Sequence, residues 1–139
     1  MRYDTSSHEE HGAHADDFHQ GLDTLTNLKI LSVRSNRISS LGNSLSLLTN
    51  LRSLDISNNP ILHLEGFGLL RRLEELWASN CGLESFEEIE IELADKEELG
   101  TVSFDGNPLQ VKNSTIYWNK VRLALPRVKQ IEADPSSLE

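Results

Sequence analysis

An α/β solenoid with a short parallel sheet is the fold class this sequence predicts, and three observations predict it. One eleven-residue pattern of aliphatic and polar positions occurs four times in phase. The chain holds 23 Leu but only four Phe, two Trp and two Tyr, a bias that fits one core slot filled repeatedly. Its 139 residues leave room for one modest domain.

The first unit places Leu28, Leu31, Val33, Asn36 and Ile38 in register. The second repeats this with Leu51, Leu54, Ile56, Asn59 and Ile61, and the third with Leu73, Leu76, Ala78, Cys81 and Leu83. The fourth supplies Leu99, Val102, Phe104, Asn107 and Leu109. Successive starts lie 23, 22 and 26 residues apart. Together they spell L-x-x-L-x-L-x-x-N/C-x-L, the leucine-rich-repeat signature.

Each slot has a physical reason. The alternating run in each unit reads as a strand with one side chain inward and the next outward. Leu31/Val33, Leu54/Ile56, Leu76/Ala78 and Val102/Phe104 are therefore core positions. The sharp turn that follows strands backbone donors and acceptors in a narrow loop, where unpaired polar groups are costly. Asn36, Asn59 and Asn107 are expected to bond those groups as a structural ladder. Cys81 fills the same slot in unit three, since a thiol is small and tolerates burial though it donates weakly. It has no His near it in sequence to make it a nucleophile.

The returns between strands carry Leu41, Leu45 and Leu48, then Leu64, Phe67 and Leu70, at near-helical spacing. The third return, 86–96, is longer and reads as a short helix with a solvated acidic face (Glu87, Glu88, Glu90, Glu92). Beyond the repeats, Ile116, Val121, Leu123 and Leu125, with Tyr117 and Trp118, read as an amphipathic segment closing the C-terminal end. The expected organisation is a polar, disordered tail over 1–21, repeats over 22–110, a cap over 111–134 and a short tail over 135–139. The tail histidines (His8, His11, His14, His19), with Asp16 and Asp17, follow no metal-ligand spacing, so no metal site and no cofactor are expected.

Net charge is −9, from 13 Lys plus Arg against 22 Asp plus Glu. That balance argues against a nucleic-acid or anionic-membrane binder, which needs clustered cations. One cysteine forms no internal disulfide, and no leader-like apolar run opens the chain, so the expectation is a soluble intracellular protein. No G-x-S-x-G, phosphate loop or Cys-His pair is present, so neither an enzyme nor a small-molecule substrate is expected. Asn113-Ser114-Thr115 matches a glycosylation sequon, which carries no weight in an intracellular chain.

On a solenoid, function belongs to the outward positions of the concave strands. These are Ile30, Ser32 and Arg34; Ser53, Asp55 and Ser57; Glu75, Trp77 and Ser79; Thr101, Ser103 and Asp105. Trp77 stands out, because an exposed aromatic flanked by Asp55 and Glu75 has the makeup of an interface hot spot. The two carboxylates are expected to orient a cationic group of a partner, with Arg34 on the more distant first strand mattering less.

From Leu25 to about Ala133 the chain resembles the Sds-type leucine-rich-repeat regulators of protein phosphatase 1 (regulatory subunit 7), in fungal form. The runs that carry the resemblance are 76–81 (Leu-Trp-Ala-Ser-Asn-Cys), 83–88 (Leu-Glu-Ser-Phe-Glu-Glu) and 106–110 (Gly-Asn-Pro-Leu-Gln). The most specific is 119–126 (Asn-Lys-Val-Arg-Leu-Ala-Leu-Pro) followed by Gln130-Ile131, similar to that family's terminal cap. The resemblance implies a non-enzymatic scaffold of nucleus and cytoplasm whose concave face binds the phosphatase catalytic subunit through Asp55, Glu75 and Trp77. The family carries more repeats, as if middle units were missing after 44–50, and has Tyr where Ser103 stands. The alternative is an interaction module for another protein, such as the spliceosomal or cytoskeletal leucine-rich-repeat proteins, or a shortened copy that no longer binds the phosphatase.

Overall fold

The computed structural model describes residues 25–133 and the backbone of Arg2–Asp4. Six three- or two-residue strands form one parallel sheet in chain order: β1 (Arg2–Asp4), β2 (Ile30–Ser32), β3 (Ser53–Asp55), β4 (Glu75–Trp77), β5 (Thr101–Ser103) and β6 (Gln130–Ile131). Unit-to-unit register is exact in phase, with Leu31, Leu54, Leu76 and Val102 opposite one another. Past the strands the ladder continues: Val33 N–H donates to Asp55 O, Ile56 N–H to Trp77 O and Ala78 N–H to Ser103 O, at 2.8–2.9 Å. All eight inward residues of these four units are buried.

The tail expected over 1–21 departs from its reading at Arg2–Asp4, which pair with Ile30–Ser32. The remainder of that tail, its histidines included, and the tail from 134 onward lie outside the described residues.

The turn after each strand uses one left-handed residue immediately before the ladder slot. Ser35 (φ 61°), Asn58 (φ 58°), Asn80 (φ 52°) and Gly106 (φ 78°) hold equivalent places. Asn and Gly tolerate this region best, so three of the four units have the local chemistry the turn asks for. Gly106 has a second reason, since a Cβ there would collide with the Asn80 side chain.

On the convex side, Leu41, Leu45, Leu48, Phe67 and Leu70 are fully buried in irregular segments broken by turns, not in helices. The third return does form a helix, α1 (Phe86–Leu93), started by Ser85, whose hydroxyl accepts from Glu88 N–H at 3.0 Å. Glu88 does not complete a reciprocal capping box. Its carboxylate reaches into the preceding unit, accepting from Leu64 N–H at 2.6 Å and lying 3.1 Å from His63 Nδ1. Glu92 likewise accepts from Phe67 N–H (3.2 Å), and Glu65 from Ser40 Oγ and Gly42 N–H (2.9 Å each). The Gly42 N–H bond is the main reason the Glu65 carboxyl is held below the usual range. So Glu88 and Glu92 are not part of a solvated acidic face: they bind backbone donors that the irregular returns leave unpaired. Lys96, just past α1, is buried too, its ammonium 3.1 Å from Asp95 Oδ1 and 3.5 Å from Gly68 O.

The C-terminal end is closed by α2 (Pro108–Val111), α3 (Tyr117–Ala124) and β6, which extends the sheet beyond β5. Tyr117, Val121 and Ala124 face inward at helical spacing, and Leu125, Val128 and Ile131 complete the cap. The Tyr117 hydroxyl accepts from Phe104 N–H at 3.2 Å, and burial pushes that phenol far above its ordinary range. Leu123 and Ile116, expected in the cap's core, are exposed by 79% and 42%. They flank the inward stripe of α3, so only part of the segment's apolar content packs.

Candidate protein-binding face

The outward positions form three rows across the sheet. Ile30, Ser53, Glu75 and Thr101 make the first, in direct register. Ser32, Asp55, Trp77 and Ser103 make the second. Asp55 and Trp77 are therefore neighbours, and Glu75 precedes Trp77 by two residues on the same side of β4, so the structure brings all three predicted residues together. All three are partly buried. The indole Nε1–H of Trp77 donates to Glu75 Oε1 at 3.3 Å, which fixes the ring relative to the carboxylate and leaves Oε2 without a partner among the described residues.

Asp55 is in a different situation from the one its spacing suggests. Its Oδ2 accepts from Arg34 Nε at 2.8 Å, and its Oδ1 accepts from Ser57 N–H at 3.0 Å. Both oxygens are engaged within the chain. The signal for this was present: opposite charges lie two positions apart on neighbouring units, a diagonal within reach of a long side chain.

The third row is mostly closed. Ser57 and Ser79, expected outward, are fully buried, as is Ser103 in the second row. Alternation carries one residue past each strand, to Ile56 and Ala78, and by Ser57 and Ser79 the chain has begun to turn. Ser103 is a small side chain beside the indole of its register partner. The three hydroxyls tie units together instead: Ser57 Oγ accepts from Ser79 N–H at 3.0 Å, and Ser79 Oγ lies 2.9 Å from Ser103 Oγ.

Beneath the face run the ladder residues. Asn36 Nδ2 donates to Val33 O and Arg34 O. Asn59 Nδ2 donates to Val33 O, Ile56 O and Ser57 O at 2.9–3.1 Å, while its Oδ1 accepts from Ile38 N–H at 3.2 Å in the unit before. Asn107 repeats the pattern, donating to Ala78 O and Phe104 O and accepting from Cys81 N–H and Leu83 N–H. Cys81 Sγ makes two longer bonds, to Ile56 O (3.4 Å) and Ser79 O (3.5 Å). Burial pushes its thiol up to about 11, which removes it from consideration as a nucleophile at neutral pH. Among the described residues no cluster of His, Cys, Asp or Glu could hold a metal, and no helix is long and apolar enough to cross a membrane.

Repeated strand, left-handed turn and buried ladder residue define a leucine-rich-repeat solenoid. A family model, leucine-rich repeats (2 copies), matches residues 26–68. The chain is 58% identical over 64 residues to protein phosphatase 1 regulatory subunit SDS22 of Schizosaccharomyces pombe, covering 46% of this chain and 19% of that protein. It is also 39% identical over 118 residues to the mouse centrosomal protein of 72 kDa, covering 84% of this chain and 18% of that one. The chain thus spans about a fifth of the length of the curated relatives it matches. Among solved structures, the Drosophila melanogaster SNF/U2A′ complex aligns with a TM-score of 0.67 at 24% identity, over 78% of this chain and 61% of that one. A leucine-rich-repeat protein of Leptospira interrogans aligns with a TM-score of 0.61 at 28% identity, over 81% and 27%. These likenesses agree on the fold.

Proposed function

We propose that the chain is a non-enzymatic scaffold that binds the catalytic subunit of protein phosphatase 1 through its concave face, in nucleus and cytoplasm. The observation that carries this reading is the 58% identity to a phosphatase regulatory subunit, more than twice that of the likeness to the U2A′ complex. The surface assigned to binding is the Glu75–Trp77 pair, an ordered aromatic with a carboxylate oxygen still available. Truncating a central aromatic of this kind costs about 2 kcal/mol, roughly a thirtyfold loss of affinity. Calorimetric titration of the catalytic subunit should therefore show Trp77→Ala binding about thirtyfold more weakly than the unaltered chain, with circular dichroism unchanged because the ring lies outside the core. Equal binding by the two proteins would remove the concave face from the reading.

A second reading is favoured by coverage. The centrosomal relative matches 84% of this chain, against 46% for the phosphatase subunit. On that reading the same face serves a different protein partner, and no heat of binding to the phosphatase catalytic subunit would be measured at all.

A further inference from the structure

We infer that Arg34 is a specificity-determining residue of the concave face: it occupies Asp55 within the chain, so a partner's cation is received by Glu75 alone. The inference deepens the scaffold reading and rests on it for the identity of the natural partner. Three observations carry it. Arg34 Nε lies 2.8 Å from Asp55 Oδ2, and both side chains are about three-quarters covered, at 25% and 22% exposure, so solvent screens the pair less than it would a surface bridge. The other Asp55 oxygen is taken by Ser57 N–H at 3.0 Å. Glu75, by contrast, gives one oxygen to Trp77 Nε1 and keeps the other.

A cationic group approaching Trp77 therefore meets one available carboxylate where the spacing of Asp55 and Glu75 offers two. To reach Asp55 it must displace a guanidinium already in place, losing the charge-assisted bond that it gains. Removing Arg34 opens that position. The class of partner this site discriminates against is one that presents two cationic groups on a diagonal across neighbouring strands, about 7–8 Å apart, because Asp55 stands opposite Trp77 and Glu75 opposite Ser53.

The test uses the full chain with Arg34→Gln, Arg34→Gln/Asp55→Asn and Lys29→Gln, titrated with an Arg-Gly-Arg peptide amide. Binding is read from the Trp77 indole N–H resonance, with that of the exposed Trp118 as internal control. Arg34→Gln is expected to bind the peptide about five- to tenfold more tightly than the unaltered chain, and the double variant to return to the unaltered value. Lys29→Gln removes an exposed positive charge from the same unit without releasing Asp55, and should gain less than about twofold. Equal affinity for Arg34→Gln and the unaltered chain overturns the inference, as does a gain that survives Asp55→Asn or is matched by Lys29→Gln. The phosphatase catalytic subunit is titrated in parallel. If it binds none of the proteins while the peptide series keeps its order, the phosphatase reading fails and the role of Arg34 stands.

Discussion

The turns of units two and three hold the same slot with different chemistry, and the neighbouring backbone records the difference. Asn59 donates three bonds and accepts one, satisfying its own turn and Ile38 N–H of the unit before. Asn107 does the same service for Leu83 N–H. The equivalent donor in unit two is Ile61 N–H, whose ladder counterpart in the next unit is Cys81, and a thiol offers no comparable acceptor. Ile61 N–H bonds instead to Asn59 O at 2.8 Å, across Pro60. A three-residue turn of this kind suits the fixed φ of proline. Unit two thus carries within itself the bond its neighbours draw from the next unit. The lesson is that a ladder residue is felt one unit upstream of where it sits.

The largest expected effect is at Asn59. Asn59→Ala leaves Ile38 N–H without its acceptor and takes one donor from each of three carbonyls, and should lower stability by about 1–3 kcal/mol in urea denaturation. Cys81→Ala removes two long sulfur bonds and no acceptor, so it should cost less, on the order of 1 kcal/mol. If the cysteine variant were the less stable of the two, the contrast between the turns would collapse.

The thiol also reports on the turn by pH. Its folded pKa, about 11 against a reference of 9.0, is raised. The half-buried neutral thiol therefore contributes stability fully below pH 9, and that contribution is lost as pH rises through 11. Iodoacetamide labelling of the folded chain at pH 8 should be many times slower than in denaturant, and should accelerate as pH approaches 11. Equal rates in both states would place Cys81 outside the core.

The smallest effect sharpens the comparison from the first turn. Ser35 is the one left-handed turn position among the four that is neither Asn nor Gly. Ser35→Asn should raise the melting temperature slightly, with about 0.5 kcal/mol of stabilisation, because Asn accepts φ near 60° more readily. A lower melting temperature would mean that the Asn58 Nδ2 to Ser35 Oγ bond, 3.2 Å long, outweighs the backbone preference.

Much of the fold was legible because its determinants are local. Leu31, Leu54, Leu76 and Val102 follow from a period of two, the ladder slots from the repeated Asn and Cys positions, and α1 from the extra length of the third return. Locality also explains the errors. Alternation holds one residue past each strand and then gives way to the turn, which buries Ser57 and Ser79, and Leu123 is exposed because composition does not fix a helix's rotation. The candidate site was legible as a neighbourhood, since equal phase in adjacent units puts Asp55 beside Trp77.

By itself the sequence determined the repeat, its inward residues, the ladder slots and the meeting of Asp55, Glu75 and Trp77, all of which follow from spacing along one chain. Tertiary structure decided how the polar groups were spent. Arg34 and Asp55 are 21 residues apart, and Glu88 and Leu64 are 24 apart, yet each pair is bonded. Spacing places backbones in register, but a charged side chain long enough to reach several neighbours bonds whichever donor or acceptor lies unpaired within its reach. That choice exists only once the units are stacked.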